Sequence, residues 1–260
     1  MRCGSVTLPD TVMDGAKILD PAAAGQAIRQ LLARTETTET RALVAVSDAL
    51  ATFRTLYLPV DATDQDVHKA VAQELSLEPE RIVRRWMSVG ETDTNRVVYA
   101  VAWDREQVRS VTEAVRLAGL ETAIVDLKSS CLTRTTSEQS CVILDLAADP
   151  AEIVLVNQYL PQLWHSFRLP ASTNDDLAPA LASPLRSVLR FHERGRDPNV
   201  AASAFPVLVS SEQILSPQAL THVSELIEQP VRPLPAPPRV APHVRHSTYL
   251  TCIGLIMRRR

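Results

Sequence analysis

The apolar positions of this chain fall into helical stripes and short strand-like runs that alternate along its first half. In residues 20–36, Ala24, Ala27, Ile28, Leu31 and Leu32 recur at helical spacing, with Asp20 placed as cap and Pro21 at the first helical position. The segment 42-ALVAVS-47 reads as a short buried strand. In 52-TFRTLYL-58 the pattern alternates, putting Phe53, Thr55 and Tyr57 on one face, and Pro59 ends the run. Thr63 and Asp66 have capping-box spacing, although the box usually carries Glu or Gln at its second position. The helix they open, over 64–77, carries Val67, Ala70, Val71, Glu74 and Leu75 in one stripe. Strands over 82–89 and 96–103 follow, joined by the polar turn 90-GETDTN-95. Asp104 caps a helix over 104–120 with the stripe Val108, Val111, Ala114, Val115 and Leu117, which Gly119 ends. The strand 121-ETAIVDL-127 returns to the core. Residues 42–127 are therefore predicted to run β, β, α, β, β, α, β, a sheet with helices packed against it. Residues 1–18 show no clear period.

A second block begins near residue 140, after a helix or turn over 128–139. In 142-VILDLAADPAEIVLV-156, two apolar runs flank a short polar turn that contains Asp149 and Pro150, and Asp145 closes the first run. A third strand is predicted over 160–170, then a helical region over 173–194 that Pro184 is expected to kink or divide. A strand over 205–211 leads to a helix over 216–229, with Ser216 as cap and Pro217 at its first position. The segment 230–246 holds 6 of the chain's 18 prolines and favours extended polyproline geometry, as a surface connector or a ligand for a proline-recognition domain. A short closing helix ends in Arg258-Arg259-Arg260, which either complements the helix dipole or meets anionic lipid.

Composition narrows the function classes. The 260 residues, 45% hydrophobic and 22% charged, suffice for one large domain or two modest ones. With 27 basic against 30 acidic residues and 4% aromatics, neither a basic nucleic-acid surface nor a stacking platform is expected. The chain has only 7 glycines and contains neither G-x-G-x-x-G nor G-x-x-x-x-G-K-[ST], so the usual glycine-rich phosphate loops are missing. Cys3, Cys131, Cys141 and Cys252 form no C-x-x-C pair and read as reduced thiols; Cys131 and Cys141 are expected to be small buried residues. The apolar stretch 249-YLTCIGLIM-257 is about half the roughly 20 residues a membrane-crossing helix needs, and no signal peptide is seen. The expected location is the cytoplasm.

Few residues carry candidate chemistry. The hairpin around Asp145 has a shape that can hold a magnesium nucleotide between its strands, or it is a hairpin and nothing more. His243-x-x-His246 has a metal-like spacing, but no acid or cysteine lies nearby in a proline-rich region, so a solvated connector is expected. H-E-x-x-H and G-x-S-x-G are both lacking. Asp175-Asp176 lie in a first helical turn, where acids offset the dipole. Arg84, Arg85 and Trp86 resemble a nucleic-acid patch, yet strand alternation divides them between two faces. Trp103 and Trp164 are expected to be core or interface anchors.

The order of these blocks resembles the type IV pilus assembly PilM family, relatives of FtsA within the actin-like ATPase superfamily. The resemblance is carried by 52-TFRTLYLPVDATDQDVHKAVAQEL-75, by 96-RVVYAVAWDREQVRSVTEAVRLAGLETAIVDLKSSCLTR-134 with its "AGL" exit, and by 141-CVILDLAADPAEIVLV-156, which matches the second phosphate hairpin. It extends through 185-LRSVLRFHE-193, 205-FPVLVSSEQILSPQALTHVSELIEQPV-231 and 248-TYLTCIGLIMR-258. It implies an α/β, actin-like (ribonuclease H-like) fold with an inserted small α+β subdomain. Met1–Leu19 contains no "D-I-G" loop, so the N-terminal phosphate-loop portion is expected to be missing. The implied organisation is a partial first subdomain over 1–41, the inserted subdomain and connecting strands over 42–120, and a second actin-like domain over 121–260 with a Pro-rich segment at 230–242.

The departures bear on function. The family's hairpin reads near "D-I-G-x-x-x-T", and this chain has 145-DLAADPA-151, with Ala147 in the glycine position. The family's adenosine loop reads near "G-G-G", and this chain has 210-SSEQ-213. Asp145, Ser210 and Ser211 are thus vestigial ATP-site positions, and no catalytic or metal-ligating residue is assigned. The resemblance implies a cytoplasmic scaffold or adaptor with no cofactor, peripheral to the inner membrane through a PilN-type partner whose N-terminal tail it binds, with self-association a further option. The alternative is an actin-like ATPase that binds ATP with Mg at a divergent site. The candidate docking surfaces are the strand over 52–58 and the segments over 82–103.

Overall fold

The structure, a computed structural model, describes residues 3–75, 81–147, 150–169, 174–194, 205–211, 215–237, 240 and 246–258, with the side chains of 174–176 and 192–194 excepted. The expectations for Asp149, Glu212, Gln213, His243, Arg259, Arg260 and the side chains of Asp175, Asp176 and His192 lie outside the described residues. The chain divides into two compact units, Met1–Lys128 and Ser129–Arg260.

The first unit opens with two-residue strands β1 (Met13–Asp14) and β2 (Lys17–Ile18), a short hairpin whose turn contains Gly15 at φ +56°. Helix α1 (Pro21–Arg34) starts as its sequence predicts, with Asp20 accepting from the backbone N–H groups of Ala22 and Ala23. Strand β3 (Arg41–Val46) leads through a 3₁₀ turn into β4 (Ala51–Pro59), then α2 (Asp64–Glu74), β5 (Ile82–Glu91), β6 (Asn95–Asp104), α3 (Arg105–Leu117) and β7 (Glu121–Leu127). This is the predicted order. The Thr63–Asp66 pair forms a complete capping box, with the Asp66 N–H donating to Thr63 Oγ1 and the Thr63 N–H donating to the Asp66 carboxylate.

Two sheets result. β4, β6 and β5 make a three-stranded antiparallel sheet in that order, and β3 pairs with β7 in parallel. α2 covers one face of the three-stranded sheet, burying Val67, Val71 and Leu75 against Leu56, Val98 and Ala100. The face with Phe53, Thr55 and Tyr57 is graded: Phe53 is buried, while Tyr57 is 63% exposed. α1 lies against α3 at Gly25, where an added Cβ would stand 2.7 Å from the Ala114 carbonyl oxygen.

The second unit begins in α4 (Lys128–Thr133) and continues through β8 (Cys141–Asp145), β9 (Ala151–Asn157), β10 (Leu160–Phe167), α5 (Asn174–Arg194), β11 (Val207–Ser210), α6 (Pro217–Ile227), β12 (Val231–Pro233) and α7 (Leu250–Ile256). The five strands form one sheet in the order β10-β9-β8-β11-β12; β8, β11 and β12 run parallel, and β9 and β10 complete an antiparallel meander. Both faces are covered, which is why β8 and β11 read as unbroken apolar runs. Val142, Leu144, Ile153 and Val209 pack under α5 and α6. Cys141, Ile143, Val154 and Leu208 form the opposite layer with Leu132 of α4 and Leu250 of α7.

Two expectations are narrowed. Of the two outcomes expected at Pro184, division does not occur: α5 is one helix through Pro179 and Pro184. Leu181, Leu185 and Val188 are almost fully buried, and that burial outweighs the backbone bonds the prolines cannot make. The proline-rich segment is not only a connector, because Val231–Pro233 forms the sheet-edge strand β12 and Leu234 is buried. Proline is tolerated there because an edge strand has an unpaired side.

Candidate nucleotide-hairpin site

The β8–β9 hairpin forms as predicted, and its register places its polar residues. Asp145 is the direct partner of Glu152 across β8 and β9 and of Ser210 across β8 and β11. Glu152 in turn faces Ser166 of β10. Four polar residues therefore form one row, Ser166–Glu152–Asp145–Ser210, across four strands of the sheet. By strand alternation the row belongs to the layer of Ile143, Val154 and Leu208, the side covered by α4 and α7. Asp145, Glu152 and Ser210 are 4%, 6% and 3% exposed.

Two local hydrogen bonds hold the row. The Leu146 N–H donates to the Ser210 carbonyl at 2.7 Å, tying the end of β8 to the end of β11. The Ala147 N–H donates to Asp145 Oδ1 at 3.2 Å. Ser210 Oγ is enclosed and has no hydrogen-bond partner among the described residues. Of the three predicted positions, the fold thus brings Asp145 and Ser210 side by side. Ser211 follows the end of β11 and is half-buried.

Glu152 was missed by the sequence reading. Its signal was a lone acid in the run EIVLV, where every neighbour within the strand is apolar. Only the register shows that it faces Asp145 rather than solvent.

The remaining candidates resolve into structure. Trp86 is held between the Arg96 guanidinium, 5.4 Å from its ring centroid, and the His68 ring, 5.6 Å away edge-on. Arg84 donates to the Leu75 carbonyl at 3.0 Å, while Arg85 is exposed, so this patch is divided between two faces. Trp164 packs against the α4–α7 layer. Among the described residues no group of three or more His, Cys, Asp or Glu is placed to hold a metal. All four cysteines are free thiols, and burial pushes the Cys141 thiol up to about 12. No described helix is long and apolar enough to cross a membrane.

No family model matches the chain, and no characterised protein matches it by sequence. Its structure is similar to a chain of a PilM–PilN type IV pilus biogenesis complex, with a TM-score of 0.73 at 19% identity over 98% of this chain and 90% of that one. It is also similar to the cytoplasmic domain of EpsL, an inner membrane component of the type II secretion system of Vibrio cholerae, with a TM-score of 0.52 at 10% identity over 91% and 82% of the two chains. The fold is actin-like. It is a PilM-like form of that fold.

Proposed function

We propose that this chain is a PilM-like scaffold or adaptor of a type IV pilus or related secretion assembly platform, without enzymatic activity. It works at the cytoplasmic face of the inner membrane and binds the N-terminal tail of a PilN-type membrane protein. The observation that carries this reading is the near-complete overlay on the PilM–PilN chain, at a TM-score of 0.73.

The state of the hairpin supports the loss of nucleotide. A phosphate hairpin offers free backbone N–H groups and a glycine whose lack of Cβ lets the chain approach the phosphates. Here Ala147 stands in the glycine position, and its N–H already donates to Asp145. Glu152 adds a second carboxylate beside Asp145, which disfavours a polyanion. These features weigh against a triphosphate.

For the partner, the three-stranded sheet is the favoured surface. On the face turned away from α2, Tyr57 is 63% and Met87 is 59% exposed, flanking the buried Val97 and Tyr99. Large exposed apolar side chains above a buried apolar floor suit capture of an extended peptide.

The second reading is an ATP-binding actin-like protein, favoured by the retained Asp145 and by the Ser210 hydroxyl, which has no partner among the described residues. Thermal melting with and without magnesium ATP separates the two. A ligand at 100 times its dissociation constant adds about 2.7 kcal/mol, so a clear rise in Tm supports the ATP reading and an unchanged Tm supports the scaffold. Docking is tested by fluorescence anisotropy with a labelled N-terminal peptide of a PilN-type protein. Binding that is lost in the Tyr57→Ser, Met87→Ser double variant supports the surface, and no binding to the unsubstituted chain sinks it.

A further inference from the structure

Strand β3 has the sequence of an interior strand and the position of an edge strand. After Arg41 its residues, 42-ALVAV-46, are an unbroken apolar run. Such runs belong to parallel strands covered on both faces. Strand β8, whose residues 141–144 are a similar run and which pairs in parallel with β11, has a neighbour on either side, and every one of its residues is buried. β3 has one neighbour, β7, and of its six residues only Val46 is buried. Leu43 is 42% exposed. The backbone groups of β3 that point away from β7 have no backbone partner among the described residues. Proteins blunt such edges with charge or proline. Every other described edge strand longer than two residues does so within its length: Arg54 in β4, Arg84 in β5, Asp126 in β7, Pro161 in β10 and Arg232 in β12. The edge of β3 between Ala42 and Val46 carries neither.

We propose that the free edge of β3 pairs with a second copy of this chain, β3 lying antiparallel to β3 across a two-fold axis. An uncharged, apolar edge suits an uncharged, apolar strand, and among the described edge strands β3 is the one that supplies it. The same strand on both sides makes the contact self-complementary. A two-fold axis perpendicular to the sheet keeps each side chain on its own face, so residues meet only at even offsets. Centred on Leu43, the pairing sets Leu43 against the second copy's Leu43, Ala42 against its Val44 and Arg41 against its Ala45. The exposed leucines then cover each other. The two Arg41 side chains stay apart, each beside Glu121, its register partner in β7. The two-stranded sheet of each copy becomes half of a four-stranded one, in the order β7-β3-β3-β7. One strand per chain is a small interface, so the dissociation constant is expected at about 10–100 µM. This inference does not rest on the scaffold reading.

The test uses the full chain. Analytical ultracentrifugation from about 1 to 300 µM is expected to show a monomer–dimer equilibrium. Leu43→Lys, which places a charge on the edge, is expected to weaken the dimer about tenfold or more. The register is read by cross-linking. In a background carrying Cys3→Ser and Cys252→Ser, which removes the exposed thiols, Leu43→Cys is expected to form a disulfide-linked dimer on mild oxidation. Asp93→Cys, in the exposed β5–β6 turn, is expected to stay monomeric on a non-reducing gel. If Leu43→Lys does not fold, the Leu43→Cys cross-link and the sedimentation of the unsubstituted chain still decide. A chain that stays monomeric throughout the range overturns the proposal. So does a dimer that survives Leu43→Lys, or one in which Leu43→Cys does not cross-link. The Tyr57→Ser, Met87→Ser double variant is expected to lose the partner peptide and keep the dimer, so the two surfaces fail separately. Loss of the dimer in that variant would place the contact on the three-stranded sheet and overturn the β3 pairing.

Discussion

Gly254 of α7 lies directly on the carbonyl of Cys131 in α4. A Cβ built on Gly254 would stand 1.8 Å from the Cys131 oxygen and 2.5 Å from its carbon, distances no side chain tolerates. The contact explains how α7, seven residues long, packs over the sheet layer that contains Asp145 and Ser210. Gly254→Ala is therefore expected to destabilise the second unit by about 3 kcal/mol, although Ala is ordinarily the better helix residue. Urea denaturation followed by circular dichroism measures it, and an unchanged midpoint would contradict the close crossing.

Gly25 makes the equivalent prediction in the first unit. Its added Cβ would meet the Ala114 oxygen at 2.7 Å and the Leu117 Cβ at 2.9 Å. In an uncrowded helix Gly→Ala gains about 1 kcal/mol. Here Gly25→Ala is expected to lower stability, and the sign of the change in Tm is the readout.

Capping ties stability of the first unit to pH. The Thr63 side chain and then its backbone N–H, hydrogen-bonded to Asp66, hold the Asp66 carboxyl below its ordinary value. For Asp104, burial pushes upward but is outweighed by the Arg81 side chain and the N–H groups of Glu106 and Gln107, so its carboxyl is also lowered. A depressed folded-state pKa stabilises above the unfolded value and is lost as pH falls through the folded one. Stability is thus expected to be flat from pH 7 to about 5 and to fall below about 4. Thr63→Ala is expected to cost about 0.5–2 kcal/mol at pH 7 and to flatten part of that acid limb, as followed by thermal melts across pH.

Thiol chemistry reports on burial. Cys131 and Cys141 are buried, Cys3 and Cys252 exposed, and the Cys141 thiol is raised to about 12 by burial first and by Glu138 second. Iodoacetamide at pH 8 is expected to label two of the four cysteines in the native chain and all four after denaturation, as counted by mass spectrometry. Rapid labelling of Cys141 in the native chain would contradict the packing of β8.

The β9–β10 turn stores strain at Gln158 and Tyr159, which adopt φ +52° and +59°. Two-residue hairpin loops of this kind favour Asn and Gly. Gln158→Asn is expected to raise stability by a few tenths of a kcal/mol, up to about 1 kcal/mol, in a denaturant titration.

The legible parts of this protein were those set by neighbouring residues. Asp20, Thr63, Asp104 and Ser216 each cap a helix because their side chains reach N–H groups two or three positions on. The element order over 42–127 followed from period and punctuation alone, and Asp145 could be singled out because it closes an apolar run. Only tertiary structure could decide what Asp145 faces. Its neighbours Glu152 and Ser210 are assigned by the register of β9 and by the parallel pairing of β11, both set by which apolar faces pack together rather than by local spacing. The same packing carried α5 through two prolines and drew Val231–Pro233 into the sheet edge, because core burial of the whole sheet outweighs the preference of single residues.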